Sequence, residues 1–215
     1  VNNNETLEIA LFPIPNQVTF PNSAVPLHVF EPRYRKMIND CIENKMRIGV
    51  CHIQKVLHAV AKKESLEEAL KSNQSTYEPQ WVFSAGFCEL KETTEDGRLL
   101  VEIKTDRRYL RKKRLQEVPY QVYACEPYID EDSDPKEGEA YRQKLDRFLL
   151  KFAQNQKDQR LLDFLQADQW LDLTEEQYSF KFFQIFQFDP DISQEILELK
   201  SVAKRLDFAC RLLSL

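Results

Sequence analysis

The chain has 215 residues, 42% of them apolar and 30% charged, with a net charge of −5 and a pI near 5.4. This balance suits a globular protein of one larger domain or two small lobes and excludes a disordered chain. The acidic charge argues against a dedicated nucleic-acid binder, four glycines leave little room for a phosphate-cradling loop, and no apolar run nears the ~18 residues of a membrane span.

In chain order, VNNNETLEIA has neither a charged n-region nor an apolar h-region, so no secretory signal is read there. A first residue of Val leaves room for an upstream segment. Residues 7–12 are expected to form a strand. LFPIPNQVTFP then sets Pro13, Pro15 and Pro21 between apolar residues, and residues 25–30 read as a second strand. Glu31-Pro32 opens a helix over 32–44, because proline at a first helical position has its φ pre-set and gives up an amide that lacks an intrahelical partner. Tyr34, Met37, Ile38, Cys41 and Ile42 then fall on one apolar stripe. MRIGVCHI (46–53) reads as a strand. Residues 54–78 read as a surface excursion with a short charged helix at about 63–71.

QWVFSAGFCEL (80–90) places Trp81, Phe83, Ala85 and Phe87 on one strand face and Val82, Ser84, Gly86, Cys88 and Leu90 on the other. Neither face is polar, so both call for cover. The small residues fit the inside of a tight barrel, and the aromatic face needs a partner layer or a ligand. Asp96-Gly97 supplies a hairpin turn. The return strand over 98–114 ends in Arg107, Arg108, Arg111, Lys112, Lys113 and Arg114, which reads as a solvated edge or as a phosphate-contacting strand. Residues 120–128 close the lobe.

Residues 129–139 (IDEDSDPKEGE) are acidic and read as a hinge. Asp134-Pro135 with Glu137 is a helix start, and Leu145, Phe148, Leu149 and Phe152 mark the buried stripe of a helix to about 155. A second helix over 158–166 carries Leu161, Leu162 and Leu165. Thr174-Glu175-Glu176-Gln177 is a capping box that opens a Phe-rich helix, with Phe180, Phe182, Phe183, Phe186 and Phe188, ended by Asp189-Pro190. A short helix anchored at Asp191 and a final helix over 201–213 complete the chain.

Catalytic chemistry has no constellation to stand on. No G-x-x-x-x-G-K-[ST] occurs, and Lys71-Ser72 and Lys200-Ser201 lack a glycine-bordered nucleophile turn. His28, His52 and His58 belong to different elements. The cysteines, Cys41, Cys51, Cys88, Cys125 and Cys210, are odd in number and widely spaced, as expected of reduced, mostly buried thiols in a cytoplasmic protein. Cys51 and His52 do not suit a shared metal, since neighbouring strand residues face opposite ways. No cofactor or metal is expected.

LFPIPNQVTFP followed by PLHVFEPRYRKMI resembles the opening of the N-terminal substrate-binding domain of Lon proteases. GFCEL, the turn, DGRLLVEI and DRRY resemble its hairpin, and QEILELKSVAKRLDFACRLL resembles its end. The residues that carry the motif are Pro26, Leu27, His28, Phe30, Glu31, Arg33 and Tyr34, to which a structural role is assigned. The resemblance implies an α+β chain: a PUA-like small β-barrel lobe over 1–128, the hinge at 129–139, and an α-helical bundle over 140–215. It also implies a stand-alone, non-enzymatic protein without the ATPase and protease modules of Lon. Such a protein would bind exposed apolar segments of client or partner polypeptides, in company with a Lon-type protease system and away from membranes. Trp81, Phe83 and Phe87 are the candidate binding residues, beside the alternative that they form an inter-lobe core. The alternative function is an RNA-binding PUA-like module that uses the basic strand at 107–114.

Overall fold

The computed structural model describes residues 6–59, 72–73, 75–131 and 135–214, the side chains of 135–137 excepted. The helix expected at 63–71 and the cap expected at Asp134 lie outside these residues. The chain divides into two compact units, Val1–Tyr128 and Ile129–Leu215.

The first unit contains β1 (Leu7–Pro13), β2 (Ala24–Val29), α1 (Pro32–Glu43), β3 (Arg47–Cys51), β4 (Ile53–His58), β5 (Thr76–Pro79), β6 (Val82–Thr93), β7 (Leu99–Gln116) and β8 (Gln121–Pro127). One sheet runs β2-β7-β6-β3-β1-β8, and β8 pairs again with β7. Strands β7, β6, β3, β1 and β8 therefore form a closed circuit of pairings, with β2 appended to β7. β1 and β3 are parallel, and the other pairs are antiparallel. β4 and β5 form a separate two-stranded sheet. The strand expected over 46–53 stops at Cys51, and β4 carries no alternating apolar face: Gln54 to His58 are all exposed.

Alternation along β1 divides the core. Ala10 packs with Met37, Ile38 and Cys41 of α1, with Val25 and Val29 of β2, and with Leu99, Val101 and Ile103 of β7. Ile9 and Leu11 face the other way, into a cluster with Cys51, Phe83, Ala85, Tyr109, Tyr123 and Cys125. Among the described residues, no helix contributes to that second cluster. Residues of β1, β3, β6, β7 and β8 bury one another there.

Two glycines make these contacts possible. A Cβ at Gly49 would lie 2.4 Å from the Phe83 ring and 2.8 Å from Leu11. A Cβ at Gly86 would lie 1.7 Å from the Lys104 carbonyl, where the β6–β7 register slips between Ala85 and Gly86. That slip leaves Asp106 as an extra residue on β7, and such a bulge bends and twists the ladder.

On β2, the Ser23 carbonyl accepts from the Thr105 N–H at 2.9 Å. Amides and carbonyls alternate sides along a strand, so residues 25, 27 and 29 point at β7 while 24, 26 and 28 point outward. Pro26 thus occupies a position where its missing N–H costs no ladder bond.

The second unit is helical: α2 (Pro135–Gln156), α3 (Gln159–Gln166), α4 (Asp168–Leu171), α5 (Glu175–Lys181), a 3-10 turn (Phe182–Gln184), α6 (Pro190–Glu198) and α7 (Val202–Leu212). Asp158 caps α3, Ser201 caps α7, and Thr174 with Gln177 completes a capping box on α5. The Phe-rich helix is shorter than its sequence suggests. It tightens at Phe182 and ends before Phe186 and Phe188, whose rings instead pack on their neighbours: Phe186 on Phe148, Phe152 and Phe182, and Phe188 on Phe183. The next helix is capped by Asp189, not Asp191: its carboxylate accepts from the Asp191 N–H at 2.9 Å.

The segment expected as a free hinge is partly held. From Pro135 onward it is helical, and Asp130 pairs with Arg205, which is fully buried. Arg205 gives Nη1 to Asp130 Oδ1 at 2.7 Å and to the Leu199 carbonyl at 2.8 Å. Its Nε donates to Ser179 Oγ at 2.9 Å, and its guanidinium stacks 4.1 Å from the Phe180 ring centre.

Candidate functional site

The motif residues converge on a groove. β1 ends at Pro13, and the Ile14 N–H donates to the Cys51 carbonyl at 2.9 Å, which pins the proline loop to the end of β3. Asn16 adopts a φ of 62°, a conformation asparagine tolerates, and its N–H donates to His52 Nδ1 at 3.0 Å. Phe12 stacks on Tyr34 of α1 with ring centres 4.1 Å apart. Between this loop and the end of β2 runs a cleft of about 410 Å³, walled by Phe12, Ile14, Leu27, Phe30, Tyr34 and Tyr77. His28 and Glu31 supply polar atoms at its lining.

Arg33 holds the far wall in place. Its backbone N–H donates to Asn73 Oδ1 at 3.1 Å, Nη1 to Thr76 Oγ1 at 3.1 Å, and Nη2 to the Ser75 carbonyl at 2.8 Å. Glu31 lies 2.9 Å from Nη2 and answers the buried charge, so the start of α1 is tied to the strand that carries Tyr77. Burial pushes the Tyr34 hydroxyl well above the usual tyrosine range, the nearby Arg33 opposing, so it remains protonated.

Of the motif residues, Leu27, His28, Phe30, Glu31 and Tyr34 line the groove, Arg33 braces it, and Pro26 lies on the outer edge of β2. From sequence alone these residues carry a structural role. Sequence does not place Phe12, Ile14 and Tyr77 beside them, because Tyr77 belongs to the strand that reads as a surface excursion.

The aromatic face expected on β6 is not one surface. Phe83 is fully buried in the enclosed cluster, which corrects its reading as a binding residue. Trp81 precedes the strand and is 46% exposed, while Phe87, beyond the bulge, is 49% exposed. Gly49 of β3 makes room for the Phe83 ring, while Gly86 of β6 lies against the Lys104 carbonyl. Each exposed ring lies under an arginine: Arg111 stands 3.9 Å from Trp81, and Arg47 stands 4.4 Å from Phe87.

The basic run is mixed, exposed at Arg107, Lys112, Lys113 and Arg114 and buried at its other two residues. Arg108 and Arg111 are buried, the latter 2.7 Å from Glu78. Arg107, Lys112 and Arg114 each lie beside a carboxylate, from Asp106, Glu126 and Glu117 respectively. Among the described residues, no group of three His, Cys, Asp or Glu side chains could hold a metal ion, and no helix is long and apolar enough to cross a membrane.

Residues 8–214 match the family model described as the ATP-dependent protease La (LON) substrate-binding domain. The fold is similar to the N terminal domain of the Mycobacterium avium complex Lon protease, at 10% identity and a TM-score of 0.68, with 96% of this chain and 98% of that one covered. It is also similar to the Lon N-terminal domain protein from Xanthomonas campestris, at 19% identity and a TM-score of 0.55, with 96% and 97% covered. No curated protein matches the chain.

Proposed function

Since the chain belongs to the LON substrate-binding domain family, we propose that it recognises polypeptide by holding exposed apolar segments of client or partner proteins in the groove beside Leu27, Phe30 and Tyr34. The observation that carries this reading is convergence. Two separated stretches, LFPIP and PLHVFEPRY, meet as opposite walls of one cleft, and that cleft is lined chiefly by aromatic, aliphatic and proline side chains. Such a surface takes apolar side chains from an extended or helical segment. The nearby Arg33 guanidinium is engaged by Glu31, Thr76 and Ser75, so it is not an open cation for a phosphate or nucleotide.

The role is recognition without catalysis, in company with a Lon-type protease system. The closed circuit of β7, β6, β3, β1 and β8 supports reading the first unit as a PUA-like barrel. Trp81 and Phe87 remain available as secondary contacts for a long client segment.

The test pairs binding with stability. Leu27→Asp and Phe30→Ala are each assayed for capture of a fluorescent unfolded polypeptide, with Tm measured alongside. Weaker capture at an unchanged Tm is the expected result for at least one of them. Undiminished capture in both folded variants removes the groove from the function.

A further inference from the structure

Tyr77, which lines the groove, stands on a strand that the six-stranded sheet does not hold. Among the described residues β5 pairs with β4 alone, and β4 is exposed from Gln54 to His58. A two-stranded ribbon is marginal by itself in water. Side chains from three other elements instead grip residues 75 to 78 in turn. Arg33 of α1 donates to the Ser75 carbonyl at 2.8 Å and to Thr76 Oγ1 at 3.1 Å. Nε2 of Gln121, at the start of β8, donates to the Tyr77 carbonyl at 2.9 Å. Nη2 of Arg111, on β7, lies 2.7 Å from Glu78 Oε1 and donates to Gln54 Oε1 of β4 at 3.4 Å. Its Nε donates to the Gln80 carbonyl at 3.3 Å. All three gripping residues are buried, and none of them lines the groove.

We infer that Gln121 and Arg111 are positioning residues for client recognition. By fixing the backbone at Tyr77 and Glu78 they set where the Tyr77 ring stands in the groove that Leu27 and Phe30 also line, and hence how closely that groove fits an apolar side chain. The inference rests on the polypeptide-binding reading and adds to it residues that govern the fit without touching the client. An amide donating to the Tyr77 carbonyl and a guanidinium fork on the next carboxylate each favour one placement of the strand. A wall held in this way is preorganised, so less ordering remains to oppose binding when a segment enters. A wall free to shift would admit more kinds of side chain and hold each less tightly. Arg111 also ties β4 to the same point through Gln54, so both strands of the ribbon answer to one buried guanidinium. Its charge is matched inside the fold by Glu78, which gives a buried arginine within the basic run a task of its own.

The experiment uses the full chain labelled with meta-fluorotyrosine, the Tyr77 signal being assigned by its loss in Tyr77→Phe. Beside it, capture of a fluorescein-labelled peptide of alternating Leu and Ser is measured. Gln121→Leu, and Arg111→Lys, which keeps the charge but removes the planar fork, should each shift or broaden the Tyr77 fluorine signal with no peptide present. Gln121→Leu should also weaken capture by roughly five- to tenfold, the loss of one hydrogen bond. In the Tyr77→Ala background the same substitution should leave capture unchanged, whereas a general loss of structure would weaken both backgrounds alike. The proposal is overturned if the Tyr77 signal is unmoved in the folded variants, or if Gln121→Leu weakens capture equally with and without the Tyr77 ring. Because the signal is read without peptide, undiminished capture in Leu27→Asp beside a displaced Tyr77 signal counts against the groove and not against the clamp. Arg111→Lys carries both measurements if Gln121→Leu does not fold.

Discussion

Gly49 on β3 and Phe83 on β6 share one volume: the ring occupies the space that a methyl at Gly49 would need, 2.4 Å away. Gly49→Ala is expected to cost about 1–3 kcal/mol through overpacking. Combining it with Phe83→Leu should recover part of that loss, since the smaller side chain gives back volume at the contact. Urea midpoints of the two single variants and the double variant give the coupling. Strict additivity would show that the two residues do not compete.

Phe83 and Trp81 should separate cleanly when truncated. Phe83→Ala removes a fully buried ring and is expected to cost roughly 3–5 kcal/mol. Trp81 is 46% exposed, and its main intramolecular contact is the stack on Arg111, so Trp81→Ala should cost about 0.5–1 kcal/mol. Thermal melts of both variants decide the matter. Comparable losses would mean that Trp81 is as much a core residue as Phe83.

Breaking the Arg205–Asp130 pair should be among the most damaging changes in the second unit. Asp130→Ala leaves a fully buried guanidinium without its carboxylate, an expected loss of about 3–5 kcal/mol. Arg205→Met removes the charge itself and should lose less. Denaturation of the two variants side by side checks the order, and a milder Asp130→Ala would contradict it.

The thiols predict the alkaline limb of stability. Burial pushes Cys41 and Cys125 up to about 12 and Cys88 up to about 11, from an ordinary 9.0. A raised folded pKa means that the unfolded chain ionises first and binds fewer protons, so stability is full below about 9 and declines as pH rises toward the folded values. Urea midpoints across that window should fall, and Cys125→Ala should flatten the curve. Native protein should also resist thiol alkylation below that range, with Cys88, the least buried of these three, reacting first. Equal reactivity of the three would contradict the burial that raises them.

Much of the first unit is legible locally. Pro32 and the Tyr34–Ile42 stripe specify α1, and Asp96-Gly97 lies at the β6–β7 turn, because these signals act within a few residues. The difference between Phe83 and Phe87 is not local. Both alternate on one face of β6, and what separates them is an extra residue, Asp106, on the neighbouring strand. β4 escapes notice because its residues alternate no apolar face. Arg205 and Asp130 are 75 positions apart, so neither spacing nor composition joins them. The groove was half legible: the motif marks one wall, but its partnership with Tyr77 depends on Arg33 reaching Ser75 and Thr76.

Pro26 bears on edge-to-edge association through β2. An outer strand of a sheet, with backbone groups unpaired on one side, invites copies of a protein to zip together edge to edge. At Pro26 the outward side of β2 offers a carbonyl but no N–H, so an incoming strand would find the ladder interrupted midway along β2. The backbone edge of β2 therefore discourages indiscriminate stacking on the side where it is open.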